Sequence, residues 1–150
     1  MNPPKIIHAI LLIDIPQSLA PSFQVDLQDA VKAYFENCDD ILYAVNGEGT
    51  HIHVLAKTMK GNTLLSEWLQ GFKTKMQERM NKEGLLRVDL RWKPEHFAFE
   101  VENSEIHDLL SMIKSQKVIH AKQSFEEEFV DIVNSGHVII DGNNILLNIQ

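Results

Sequence analysis

Two histidines, His51 and His53, stand one residue apart near the middle of the chain. Their surroundings are those of a β-strand, and because a strand turns successive side chains to opposite faces, both imidazoles are expected on one face. Ile52 and Val54 are expected on the other face, where they can anchor the strand in a core. Neutral imidazole is the commonest metal ligand, so the pair is a candidate half-site for a divalent ion. A His-x-His pair alone is more often structural, and both interpretations stay open on this pattern.

For two other potentially reactive residues, His8 and Cys38, the sequence pattern predicts structural roles. His8 lies in an apolar run over residues 5–14 and is expected to be a hydrogen-bonded core histidine rather than a ligand. Cys38 is the only cysteine, so no disulfide can form within the chain. Its acidic neighbours Asp39 and Asp40 disfavour the thiolate, and a structural thiol is expected.

The net charge of the chain argues against one class of function. The 150 residues carry a net charge of −7, whereas a protein that binds nucleic acid regardless of sequence needs a positive surface. A local basic cluster nevertheless comprises Lys73, Lys75, Arg79, Lys82, Arg87, Arg91 and Lys93. It is either a solvated helix face followed by a polar strand or a phosphate-binding surface, and the pattern leaves both open.

Length and hydrophobicity predict a single globular domain over residues 1–150. The sequence has no apolar run near the ~20 residues that a bilayer-spanning helix needs. Its first five residues lack the pattern of a signal peptide. Together with the single cysteine, these features predict a cytoplasmic protein without a membrane partner.

The hydrophobic pattern predicts alternating strands and helices. Strands are predicted at residues 5–14, 41–45, 51–57 and 85–101, with an Asn46–Gly49 turn before the third, and helices at 22–37, 61–80 and 103–120. A short acidic helix at 124–133 and a hairpin of residues 138–140 and 145–147 follow.

The order of the first six elements is that of the split βαβ unit of a ferredoxin-like α/β (α+β) sandwich with a central antiparallel sheet. The later helices and the hairpin are then C-terminal additions. In this fold the histidine strand lies beside the first strand in the middle of the sheet. The third helix is expected to cover the face that carries the histidines.

This arrangement resembles a known family, the single-tyrosine HUH transposases of small insertion sequences and REP elements. The resemblance extends over residues 5–135 and rests on the order of elements and on short motifs. These are the Asn46-Gly47 turn into His51–His53, Arg91–Lys93 with Phe97–Phe99, and Ile113–Lys117 followed by Ser124–Phe129. It implies a homodimer that recognises single-stranded or hairpin DNA and acts in DNA transposition.

The resemblance also implies a metal site. In the family, two histidines and a helix glutamine hold Mg²⁺ or Mn²⁺ at a scissile phosphate, and a tyrosine one turn before the glutamine forms a phosphotyrosine bond. His51 and His53 match the histidine pair, and Gln116 matches the glutamine. The tyrosine position is occupied by Met112, which has no ionisable oxygen. From the residues alone, the favoured interpretation is a packing methionine at position 112 and a surface amide at position 116.

The differences from the family leave two functions open. Tyr34 and Tyr43 are the only tyrosines, and both are expected to be structural. The first function is a transposase-like DNA-binding protein, impaired in phosphotyrosine chemistry, that binds DNA along Lys73, Lys75, Arg79 and Arg91. If it cleaves DNA, it needs a substitute nucleophile such as water activated by the metal. The alternative is a catalytically dead dimeric structural or regulatory protein without DNA-cleaving activity.

Overall fold

The computed structural model describes residues 4–60, 64–83, 90–115, 138–139 and 146–147. Within these ranges the strands are β1 (Lys5–Ile13), β2 (Ile41–Glu48), β3 (His51–Thr58), β4 (Trp92–Val101), β5 (Val138–Ile139) and β6 (Leu146–Leu147). The helices are α1 (Ala20–Glu36), α2 (Leu65–Glu83) and α3 (Ile106–Lys114). In the part of the chain so described, no helix is long and apolar enough to cross a bilayer.

The strands form one antiparallel sheet with the order β2-β3-β1-β4-β5-β6. Helix α1 connects β1 to β2, helix α2 connects β3 to β4, and β1 pairs with both β3 and β4. This is the split βαβ arrangement, and it confirms the predicted ferredoxin-like fold with a central antiparallel sheet. The predicted position of the histidine strand beside the first strand is also confirmed.

Helices α1 and α2 cover one face of the sheet and form the main core with it. Ile52 and Val54 of β3 lie in this core together with Leu27 of α1 and Met76 of α2, and all four are fully or almost fully buried. The apolar side of β3 is therefore the side that faces the two long helices. This agrees with the alternation predicted for the strand.

Helix α3 packs on the opposite face of the sheet. Its buried residue Ile113 contacts a smaller apolar cluster formed by Ile6, Leu55 and Val101. Leu55 lies two residues beyond His53, so it shares the pleat face of the histidines. The contact between Ile113 and Leu55 confirms the prediction that the third helix covers the histidine face.

The predicted Asn46–Gly49 turn is wrong in its position. Asn46 and Glu48 belong to β2, where they pair with His53 and His51. The chain reverses only at Gly49 and Thr50, and Gly49 has a φ of 62°. Glycine adopts this left-handed conformation without steric cost, which explains why the reversal occurs there.

Several predicted boundaries also shift. Helix α2 continues to Glu83 rather than ending near Met80, and β4 begins at Trp92, while residues 84–89 lie outside the described ranges. Helix α1 begins at Ala20 rather than at residue 22, and the hydroxyl of Ser22, inside its first turn, donates to the carbonyl of Leu19 at 3.2 Å. The predicted hairpin is confirmed by the pairing of β5 with β6. The predicted helix at 124–133 lies outside the described residues.

Helix α1 holds the hairpin between β2 and β3 through Gln24. The buried amide of Gln24 donates to the carbonyls of Gly49 at 3.0 Å and His51 at 2.7 Å. Gly47 makes this approach possible, because a Cβ there would collide with the carbonyl of His51 and lie 2.7 Å from Oε1 of Gln24. The backbone carrying the first histidine is thus fastened from the helix side of the sheet.

Replacing Gly47 with alanine is expected to lower the free energy of unfolding by about 1–3 kcal/mol, because backbone and a buried amide must move apart. Gly71 is the matched control: it lies in α2, and a Cβ there meets nothing within 4 Å. Gly71→Ala is expected to raise stability by about 0.5–1 kcal/mol. Urea unfolding of both variants measures the difference, and equal stability of Gly47→Ala and the parent would contradict the packing account.

Candidate functional site

His51 and His53 lie side by side on β3, on the face opposite the main core. The exposed fractions are 4% for His51 and 0% for His53. Their ring centroids are 5.3 Å apart and the ring planes are inclined at 76°. Two imidazoles that share one ion have centroids about 4.5–5.5 Å apart, given metal–nitrogen distances of ~2.1 Å. The spacing of the rings therefore fits a common divalent ion.

A third histidine adjoins this pair. Nε2 of His8 on β1 lies 2.9 Å from Nδ1 of His53, and the two rings stack at a centroid distance of 5.2 Å. His8 is 1% exposed, which agrees with its prediction as a hydrogen-bonded core histidine. Its position next to the histidine pair could not be seen in the sequence, because 45 residues separate His8 from His53.

Asn46 ties α3 to the histidine strand. It pairs with His53 across β2 and β3, so the two side chains share a face of the sheet. The amide of Asn46 donates to the carbonyls of Ile113 at 2.8 Å and Lys114 at 3.3 Å. These carbonyls belong to the last turn of α3, where helical partners are lacking. The end of α3 is thereby fixed beside the candidate site, whereas the sequence pattern predicted only that Asn46 begins a turn.

Met112 and Gln116 were predicted to face the metal from the third helix. The structure places Met112 partly buried against the apolar cluster of Ile6, Leu55 and Val101. This contact agrees with the packing interpretation of the methionine. Gln116 lies outside the described residues, so its approach to the histidines stays a prediction.

The described part of the chain contains no group of three His, Cys, Asp or Glu side chains that could hold a metal ion. A site at His51 and His53 therefore needs a third donor of another type, or one from outside those ranges. A glutamine carbonyl oxygen is such a donor, and hard divalent ions accept it readily.

The structure separates Lys73 from the other predicted DNA-binding residues. Lys73 is only 6% exposed, and its ammonium donates to the carbonyl of Lys93 at 2.9 Å and lies 2.9 Å from Nδ1 of His96. Its own carbonyl accepts from the indole of Trp92 at 3.0 Å. These bonds fasten α2 to β4, so Lys73 is a structural lysine here and not part of the exposed basic surface that was expected.

Lys75 and Arg79 lie on α2 beside the end of α1. They border a cavity of about 550 Å³ whose other lining residues include Tyr34 and Cys38. Lys75 is exposed, Arg79 is partly exposed, and Arg91 is exposed just before β4. Helix α2 covers the sheet face opposite the histidines, so the basic residues of α2 and the imidazoles lie on different layers of the fold.

The two tyrosines lie in different places. Tyr34 packs edge-on against Phe72 in the main core, and burial raises the pKa of its phenol, with Cys38 and Asp40 raising it further and Arg79 opposing them. A raised pKa makes the phenolate a rarer nucleophile. Tyr43 packs against the apolar cluster under α3. Both environments agree with the structural roles expected of the tyrosines.

The pKa of the Cys38 thiol is raised, which agrees with the expected structural thiol. Partial burial is the main cause that raises the pKa of its thiol, and the charges of Asp40 and Asp39 add to it, against lowering by a backbone hydrogen bond and by Lys75. The thiol form is therefore favoured. The acidic neighbours act in the predicted direction, but burial has the larger effect.

No protein-family model matches the chain, and no curated protein matches it. Among solved structures, it is similar to a REP-associated tyrosine transposase bound to a REP hairpin. The TM-score is 0.54 at 16% sequence identity, and the match covers 77% of this chain and 68% of that chain. At this identity the likeness establishes a shared fold. It agrees with the class of fold that the sheet order defines.

Replacing Asn46 with alanine is expected to lower the free energy of unfolding by about 1–2 kcal/mol, because two carbonyls at the end of α3 lose their donor. Amide hydrogen exchange within α3 is expected to accelerate. Asn37→Ala is the matched control, since Asn37 donates to Ala33 within α1 at an exposed position. That variant should leave exchange in α3 unchanged. Equal exchange in α3 for both variants would contradict the role given to Asn46.

Proposed function

We propose that this chain is a transposase-like DNA-binding protein that binds single-stranded or hairpin DNA. The observation that carries the proposal is the pair of imidazoles on β3, 5.3 Å apart between ring centroids, at the centre of a ferredoxin-like sheet. The fold is shared with a REP-associated tyrosine transposase bound to a REP hairpin. The resemblance of the motifs and the likeness of the fold therefore support the same class of function.

The proposed metal site consists of His51, His53 and Gln116, with Mg²⁺ or Mn²⁺ as the ion. Asn46 supports this assignment, because it pairs with His53 and binds the carbonyl of Lys114. The last described turn of α3 is thereby held beside the histidine strand, and Gln116 follows that turn in the sequence. The chemistry that such an ion supplies is polarisation of a DNA phosphate.

The proposed function does not include formation of a covalent phosphotyrosine bond with DNA. Position 112 is methionine, and its thioether packs against an apolar cluster. A thioether has no proton to lose and forms no phosphate ester. The DNA-binding part of the function and the strand-transfer part are thus separate proposals, and only the first is retained for the wild-type protein.

The DNA is proposed to contact both layers of the fold. Lys75, Arg79 and Arg91 supply positive charge on or near the helix layer, whereas the histidines lie on the opposite face of the sheet. A DNA hairpin with a single-stranded extension can reach both, since the duplex and the single strand need not follow the same surface. Phosphate contacts on the helix side would position the DNA, as such contacts commonly do.

The alternative is a dimeric structural or regulatory protein without DNA cleavage. The net charge of −7 and the internal position of Lys73 favour it. β2 lies at one end of the sheet order and is the strand through which a homodimer could extend the sheet. Failure to bind DNA, together with a stable dimer, would decide for this alternative.

The first test measures binding of a DNA hairpin with a single-stranded extension, with and without Mn²⁺. The Lys75→Ala/Arg79→Ala variant is expected to bind more weakly at low salt. The slope of log affinity against log salt should flatten by about one unit for each DNA phosphate that the variant no longer neutralises. Gel-shift titrations at several salt concentrations provide both quantities.

The matched control removes the same charge elsewhere. Lys32 on α1 and Lys60 after β3 are exposed, and Lys32→Ala/Lys60→Ala should leave the salt slope unchanged. If both double variants reduce binding equally, net charge rather than this surface governs the affinity. If neither does so, the assigned surface is wrong.

The second test concerns the nucleophile. The wild-type protein is expected to form no covalent adduct with single-stranded DNA. Met112→Tyr restores a phenol where the resemblance places the tyrosine, and weak adduct formation with Mn²⁺ is expected. Met112→Phe is the control, because it has the ring without the hydroxyl. Denaturing gels with labelled DNA detect the adduct.

Each result of this second test has a definite meaning. An adduct with Met112→Tyr and none with Met112→Phe would support the assigned position. No adduct while Mn²⁺ and DNA still bind would refute the alignment of position 112 with the nucleophile. An adduct of the wild-type protein would refute the loss of chemistry, and mass spectrometry of the linked peptide would then identify the residue responsible.

A further inference from the structure

A buried hydrogen bond joins His8 to the second histidine of the proposed metal site. Nε2 of His8 and Nδ1 of His53 are 2.9 Å apart, and the exposed fractions are 1% and 0%. The His8 ring stacks on His53 and also lies 5.4 Å from the ring of Phe99 on β4. His8 is thus held between neighbours on both adjacent strands. Its orientation relative to His53 is fixed by the sheet itself.

Only one of the two nitrogens can carry the proton in this bond. If Nδ1 of His53 donates, the lone pair of His53 lies on Nε2, which is then the nitrogen able to bind an ion. If Nε2 of His8 donates instead, Nδ1 of His53 is used as the acceptor and the proton of a neutral His53 lies on Nε2. Neither nitrogen of His53 could then bind an ion.

We infer that His8 is a positioning residue that accepts the Nδ1 proton of His53 and thereby assigns metal binding to Nε2 of His53. This inference rests on the proposed function, because it presumes that His53 is a ligand. Histidine ligands of metals almost always donate their other ring proton to a fixed acceptor, which sets the tautomer and raises the basicity of the ligand. Such acceptors are usually carboxylates, carbonyls or water. Here the acceptor is a second imidazole.

The bond also explains why a histidine stands in the most apolar strand of the chain. β1 is buried along most of its length, and a polar side chain there is costly unless it is hydrogen-bonded. The hydrogen bond between His8 and His53 offsets the cost of burying the His8 imidazole, so the placement of each ring depends on the other. Loss of His8 leaves Nδ1 of His53 without this acceptor in a buried position.

The first experiment reads the tautomer directly in the metal-free wild-type protein. Long-range ¹H–¹⁵N correlation spectra at about pH 8, above the ordinary histidine pKa of ~6.5, distinguish the protonated from the unprotonated ring nitrogen. The proton of His53 is expected on Nδ1. A proton on Nε2 of His53 would overturn the inference. This reading needs neither a variant nor a metal.

The second experiment measures Mn²⁺ affinity for three variants by calorimetry. His8→Phe keeps a stacking ring but removes the acceptor, and a loss of about 10–100-fold is expected. His8→Gln returns an oxygen near the position of Nε2 and is expected to recover most of the affinity. His96→Phe is the control: His96 is also buried, but it contacts Lys73 on the other face of the sheet. Its Mn²⁺ affinity should equal that of the wild-type protein.

The outcomes separate this inference from the proposed function. Absence of Mn²⁺ binding by the wild-type protein would refute the metal site, whereas the tautomer spectrum still decides the direction of the His8–His53 bond. Wild-type binding with an unchanged His8→Phe affinity would refute the role of His8 alone. If His8→Phe does not fold, His8→Gln and the wild-type spectrum decide. A folded His8→Gln whose Mn²⁺ affinity falls by the same ~10–100-fold expected for loss of the acceptor would contradict the inference.

Discussion

Burial of Ile52 and Val54 beneath α1 and α2 fixes the pleat of β3, and the pleat decides where the two imidazoles point. A shift of one residue in the pairing of β3 would turn the apolar side chains away from the helices and the histidines into the main core. The cost of that exchange is the transfer of several apolar groups to the wrong face. The direction of the candidate site is therefore set by hydrophobic burial on the far side of the sheet. Gln24 and Asn46 then fix the strand end and α3 relative to it.

In the proposed function, the histidine face binds the metal ion and the helix layer contacts DNA phosphates. The histidine face has α3 and buried polar contacts, whereas the helix layer carries the accessible charges of Lys75 and Arg79. Helix α2 carries a structural lysine, Lys73, close to an exposed one, Lys75. Lys73 is two residues from Lys75, yet its ammonium lies inside, where it joins α2 to β4. Charge counted along the sequence therefore overstates the charge available to a ligand.

The parts of the fold that follow from local patterns could be predicted from the sequence. Alternation along β3 and the order of elements indicated the sheet and the face of the histidines. Lys73 could have been recognised as internal, because it is spaced four residues after Leu69 and three before Met76, within the apolar stripe of α2. The contacts of Asn46 and His8 could not be recognised, since their partners are 67 and 45 residues away. Asn46-Gly47 also has the composition of a tight turn, and strand pairing with β3 overrode that preference.

The central place of β1 in the sheet has a consequence for the order of events during synthesis. β1 is apolar on both faces, and its neighbours β3 and β4 come much later in the chain, so that Ile6 pairs with Val101. At ~5–20 residues per second, roughly 5–20 s separate the synthesis of these two residues. Until β4 is synthesised, the apolar strand β1 can pair with β3 but not with β4. Such non-local pairing is slow to form and leaves an aggregation-prone segment exposed. During that interval β1 of the nascent chain lacks the strand that pairs with one of its two edges.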